Sequence, residues 1–103
     1  MAVYVDDMKA RFGRMVMCHM MADSKAELLA MADKIGVQRE WIQKEGTDHE
    51  HFDICMSKRA AAVRHGANEV AMRDLGRLIH ARRTARDNAQ VEGPFGPGGN
   101  PNE

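Results

Sequence analysis

His19 stands inside an otherwise apolar run, Met15-Val16-Met17-Cys18-His19-Met20-Met21. An imidazole among such neighbours must find partners for both ring nitrogens or do chemistry with them, because burial disfavours its charged form. Asp23 follows four residues later, and a carboxylate at a strand-to-helix junction suits the role of orienting the ring for general acid-base work. No serine or cysteine nucleophile motif accompanies the pair. Cys18 is adjacent in sequence and so faces the opposite side of a strand.

A second constellation is His49-Glu50-His51-Phe52-Asp53. In an extended chain residues two apart share a face, so His49, His51 and Asp53 point one way while Glu50 and Phe52 point the other. Two imidazoles and a carboxylate suit a divalent transition-metal ion with open positions for water. Asp6 and Asp7 add carboxylates if the first strand runs beside this one, which makes His51, Asp53 and Asp6 a candidate ligand set. The plainer alternatives are a polar strand entrance with solvated histidines, and turn residues closing a strand.

A third feature is Ser57-Lys58-Arg59, where an apolar strand gives way to a helix. Free amides and the positive end of a helix dipole beside two cations favour a phosphate or carboxylate. Trp41 joins these three as a candidate substrate-binding residue. The competing reading is a serine N-cap with solvated cations, and no glycine-rich phosphate loop decides between them.

The elements that must position these residues follow from changes of hydrophobic period. Ala2-Val3-Tyr4-Val5-Asp6, β-branched and aromatic, predicts a first strand of about five residues bounded by Asp6-Asp7. Residues 8–14 read as loop, and residues 15–21 as a central strand buried on both faces. Ser24-Lys25-Ala26-Glu27 has the form of a capping box, and Gly36 supplies a left-handed stop after the stripe of Leu28, Leu29, Met31, Ala32 and Ile35. A helical turn around Trp41, a strand over residues 51–56, a helix closed by Gly66, a short strand at 68–71 and a last helix over 72–86 complete the pattern. Helices alternating with strands at this spacing predict an α/β domain over residues 1–86. Its expected sheet is small and mostly parallel, about four strands in the order β-β-α-β-α-β-α. Residues 87–103, which hold all three prolines, read as a flexible Gly/Pro-rich tail. In such sheets ligands settle outside the carboxyl ends of the strands, where His19, Asp23 and the start of the second helix lie.

Composition narrows the classes further. A chain of 103 residues supports one core, and 15 basic against 15 acidic residues leave no global field to attract nucleic acid or a membrane surface. Arginines 73, 77, 82, 83 and 86 make a local basic patch on the last helix, but no aromatics interleave it, which argues against a nucleic-acid partner. The longest apolar run is far too short for a membrane span, and no charged leader precedes an apolar segment, so a cytoplasmic monomer or small homo-oligomer is expected. Cys18 and Cys55 read as buried thiols, and most of the nine methionines as core filler.

Taken together, Val-Tyr-Val-Asp-Asp at 3–7, Cys-His-Met-Met-Ala-Asp at 18–23, Glu-Leu-Leu-Ala-Met-Ala-Asp-Lys-Ile-Gly at 27–36, Glu-His-Phe-Asp-Ile at 50–54 and Lys-Arg-Ala-Ala-Ala-Val-Arg-His-Gly-Ala at 58–67 resemble domain of unknown function 4031. This is a family of small bacterial and tailed-phage proteins. The resemblance implies no activity. It does imply a pattern centred on His19 with Asp23, on Glu50, His51, Phe52 and Asp53, and on the basic pair Lys58 and Arg59. His49 lies outside that pattern, which leaves His51 and Asp53 as the stronger candidates. Three readings stand: a hydrolase or phosphoesterase-like enzyme, with or without a divalent metal ion; a non-catalytic binder of a nucleotide or other phosphorylated small molecule; and a phage or host interaction protein acting through the arginine-rich helix.

Overall fold

The computed structural model describes residues 2–91, with side chains described through Thr84. Its elements in chain order are β1 (Val3–Val5), β2 (Ala10–Phe12), β3 (Met15–Ala22), α1 (Lys25–Ile35), a 3₁₀ turn (Arg39–Trp41), β4 (Phe52–Cys55), α2 (Met56–Arg64), β5 (Asn68–Glu69) and α3 (Met72–Val91). Of the Gly/Pro-rich tail expected over residues 87–103, residues 87–91 instead continue α3, which runs past the expected end at Arg86, and residues from 92 onward lie outside the described residues.

The α/β class holds, but the sheet is mixed rather than mostly parallel. β3 is central and runs antiparallel to each of its three neighbours: β2 beside its first half, β1 beside its second half, and β4 along the other edge. The parallel pairing is that of β1 with β5. Hydrophobic period sets which residues share a face and says nothing about the direction of the neighbouring strand, so the misjudged orientation has a plain cause. The fifth strand, β2, falls within the stretch expected as loop. It forms a hairpin with β3 through the two residues Gly13 and Arg14, with Gly13 at φ 62°, as the tight hairpin turns with glycine first require.

Alternation divides the sheet into two faces. Val3 and Val5 of β1, Met20 and Ala22 of β3, and Phe52 and Ile54 of β4 are all buried on one face. There they meet Leu28, Met31, Ala32 and Ile35 of α1 and Ala62 of α2. Each large side chain fully buried here contributes about 1.5–3 kcal/mol. α1 begins as expected, with the Ser24 hydroxyl accepting from the Glu27 N–H at 3.2 Å, and stops at Gly36 with φ 80°. The Glu27 carboxylate takes the Ser24 hydroxyl proton at 2.8 Å.

The opposite face carries Tyr4, Met17, His19, Met21, His51 and Asp53, which alternate with the core residues. α3 lies against it. The helix is fixed at its start by the Asp7 carboxylate, which accepts the Met72 N–H at 2.9 Å, and further along by Arg82, which donates to the Asp48 carbonyl at 3.3 Å. Among the described side chains of α3, Leu75 is the one buried outright. No helix among the described residues is long and apolar enough to cross a membrane.

Candidate metal centre

His19 sits in the middle of β3 and pairs across the ladder with Asp53 of β4. Antiparallel pairing brings the start of β4 beside the end of β3, and His51, two residues before Asp53, shares its face. The His51 ring meets the His19 ring edge-on, with centroids 5.0 Å apart. Nε2 of His51 lies 3.4 Å from Asp53 Oδ1, and Nε2 of His19 lies 3.9 Å from the same oxygen.

What aims those nitrogens is a break in the sheet. Val5 pairs with Met20 and Ala10 with Met17, so residues 6–9 cover a span that residues 18 and 19 cover on β3. The excess is absorbed in a wide bulge, with Lys9 in the left-handed region at φ 51°. In a continuing ladder Asp6 and His19 would exchange two main-chain bonds. One is kept, from the Asp6 N–H to the His19 carbonyl at 3.1 Å. For the other, the Asp6 carboxylate replaces its own carbonyl: Oδ1 accepts the His19 main-chain N–H at 2.7 Å and the Met8 N–H at 3.2 Å. The displaced Asp6 carbonyl accepts instead from Arg59 Nε at 2.8 Å.

The second carboxylate oxygen, Oδ2, lies 2.7 Å from His19 Nδ1. Asp6 is completely buried, and an ionised carboxylate can only accept, so Nδ1 carries a proton and, in the neutral ring, Nε2 presents its lone pair. The same logic applies to His51, whose Nδ1 faces the main-chain carbonyl of His49. A carbonyl can only accept, so Nε2 of His51 is also left bare. The loop that presents this carbonyl is held by the Glu50 carboxylate, which accepts the Gly46 N–H at 3.0 Å, and by the Thr47 hydroxyl, which donates to the Lys44 carbonyl at 2.7 Å.

One atom each from His19, His51 and Asp53 thus lies within 4.8 Å of the others. Ligands around a tetrahedral ion with bonds of about 2.1 Å stand about 3.4 Å apart, so shifts on the order of 1 Å close the set. Imidazoles whose Nδ1–H is anchored by a carboxylate or carbonyl are the usual form of metal-ligating histidine. The donors, two nitrogens and one carboxylate oxygen, suit zinc or another divalent first-row ion and leave positions free for water.

Two cavities flank the cluster. One, of about 220 Å³, opens beside His19 and His51 and is walled by Met21 of β3 and by Met72, Leu75, Gly76 and Ile79 of α3. The other, of about 230 Å³, has Asp53 itself in its wall, with Met17, Trp41, Cys55 and Lys58 among its lining.

The remaining candidate residues are dispersed. Asp23 lies past the end of β3, where its carboxylate accepts from the Tyr4 hydroxyl at 3.0 Å, and the partner of the His19 ring is Asp6. Burial and then this bond raise the Tyr4 pKa above its ordinary value. Asp6 stands behind His19 rather than within the three-atom cluster. Ser57 is the second residue of α2, not its cap, and its hydroxyl lies 3.2 Å from Cys55 Sγ, an interaction that lowers the thiol's pKa. Arg59 is committed to the Asp6 carbonyl and, at 2.9 Å, to Glu69. The bond between Asp6 and His19 escaped the sequence reading because Asp6 is 13 residues away and its register depends on the bulge. The available signal was alternation, which puts Asp6 on the Tyr4 face.

A family model described as a protein of unknown function, DUF4031, matches residues 3–82. No curated protein and no solved structure matches the chain. The matched span includes Asp6, His19, His51 and Asp53 and covers most of the sequence, so the chain belongs to the DUF4031 family.

Proposed function

We propose that this protein is a metal-dependent hydrolase of small phosphoesters, in which His19, His51 and Asp53 hold one divalent transition-metal ion. The observation that carries the reading is the shared aim of two Nδ1-anchored imidazoles at one carboxylate oxygen. Metal coordination lowers the pKa of bound water from 15.7 to about 7, so hydroxide is available at neutral pH. An ion held by His19, His51 and Asp53 would supply that activated water for in-line displacement of the ester oxygen from phosphorus, the departing oxygen being protonated by solvent. Asp6 is a positioning residue: it fixes the orientation and tautomer of the His19 ring. Lys58, across Asp53, is the candidate for holding the charge of the phosphoryl group.

The test is hydrolysis of p-nitrophenyl phosphate by the zinc- or manganese-loaded chain, with and without EDTA. Turnover that EDTA abolishes and metal restores is expected, together with its loss in Asp53→Ala. Saturable phosphate binding without turnover would replace the enzyme by a binder of anionic small molecules at the same residues. No metal-dependent effect of either kind would overturn the proposal.

A further inference from the structure

We infer that the cavity beneath α3 selects substrates whose reacting group carries a compact apolar substituent, an aryl ring or a branched alkyl group of about six to eight carbons. The inference rests on the hydrolase reading above and names the substrate class for that site. Met72, Leu75, Gly76 and Ile79 recur at i, i+3, i+4 and i+7 and form one stripe of α3, with Leu75 buried and Met72, 51% exposed, at the open mouth, and Met21 closes the opposite wall. The polar boundary consists of histidine rings, two of which present Nε2 to the cluster. No lysine, arginine, aspartate or glutamate lines the cavity among the described residues.

A charged group placed here would lose its water without gaining a partner, whereas an apolar group is favoured. Size agrees with this. An apolar cavity of about 150 Å³ holds a benzene ring, and this one measures about 220 Å³. Asp53 and Lys58 share the lining of the other cavity, so a phosphoester at the cluster would have its phosphoryl oxygens on the Asp53 side and its organic group beneath α3.

Gly76 gives a clean handle. Gly76 lines the cavity, and a Cβ at this position would meet no heavy atom within 4 Å, so there is room for a side chain. Leucine is also a better helix former than glycine. The experiment compares phenylphosphonate with methylphosphonate on the zinc-loaded full chain by calorimetry, and measures thermal stabilisation of the metal-free chain by toluene. Phenylphosphonate is expected to bind at least about tenfold more tightly than methylphosphonate, and toluene to raise Tm. Gly76→Leu should abolish both effects while leaving methylphosphonate affinity unchanged. If that variant fails to fold, Ile79→Trp fills the same wall and carries the same expectation. Equal affinity for the two phosphonates, or toluene stabilisation that persists in the filled variant, would overturn the inference. Failure to load zinc would count against the metal reading alone, and the toluene comparison then decides the cavity.

Discussion

The Asp6 carboxylate holds His19 at two points, taking the main-chain N–H on one oxygen and ring Nδ1 on the other, each at 2.7 Å. One buried side chain therefore completes the β ladder and sets the imidazole tautomer together. The two tasks separate under mutation. Asp6→Asn keeps an oxygen for the main-chain donors but turns an NH₂ group toward Nδ1, which drives the ring proton to Nε2 and blocks ligation. Metal affinity should fall by about 10- to 100-fold with the fold retained, whereas Asp6→Ala also orphans the His19 and Met8 amides and should cost about 1–3 kcal/mol for each. Metal titration and chemical denaturation of the two variants check this.

Asp23 is tied to Tyr4 and not to the His19 ring, so Asp23→Asn should leave metal affinity unchanged. Its effect should appear in the phenol. Tyr4, the one tyrosine in the chain, has a raised pKa in the folded state, chiefly from burial and then from the bond to Asp23. The unfolded chain ionises first as pH rises, so the contribution of Tyr4 to stability is present below pH 10 and is lost above it. Ultraviolet titration should place the transition above the ordinary tyrosine range in the wild type and closer to that range in Asp23→Asn. A loss of metal binding in this variant would contradict the arrangement.

Arg59 and Lys58 are adjacent and should behave differently. Arg59→Ala leaves the Asp6 carbonyl without its donor and should lower stability by about 1–3 kcal/mol, with the metal site weakened as a consequence. Lys58→Ala should cost little stability and raise the KM for p-nitrophenyl phosphate. Equilibrium unfolding and steady-state kinetics on the pair distinguish a structural arginine from a substrate-holding lysine.

Ser24→Ala removes the acceptor at the start of α1 and should destabilise the chain by about 1 kcal/mol, read from the urea midpoint. Metal affinity should not change, because the capped helix packs on the opposite face of the sheet.

The bounds of α1 were legible in the sequence because their signals, Ser24 and Gly36, are local. The expected burial of residues 15–21 on both faces does not hold, since Met15 is 48% exposed and unbroken burial begins only at Met20, and Met56 and Met72 are exposed rather than core filler. His19, His51 and Asp53 stood out because imidazoles and a carboxylate within or beside apolar strands need a reason. Their meeting was not legible. With parallel strands, His51 and Asp53 would lie at the wrong end of β4 to reach His19; the antiparallel ladder pairs His19 with Asp53 directly. Orientation, register and the bulge at residues 6–9 depend on contacts distant in sequence, and they bring Asp6 to His19 and take Arg59 away from a ligand. The hairpin turn at Gly13 was the one overlooked local signal, since a glycine followed by a single residue between two short extended segments already suits a tight turn.

The most direct measurement is a cobalt(II) titration of the full chain, followed by visible absorption and calorimetry, in the wild type and in His19→Ala, His51→Ala and Asp53→Ala. Saturation at one ion per chain, with ligand-field bands that disappear in each of the three variants, is the result expected from the geometry. Absence of saturable binding, or one-to-one binding that survives all three substitutions, would contradict the metal centre.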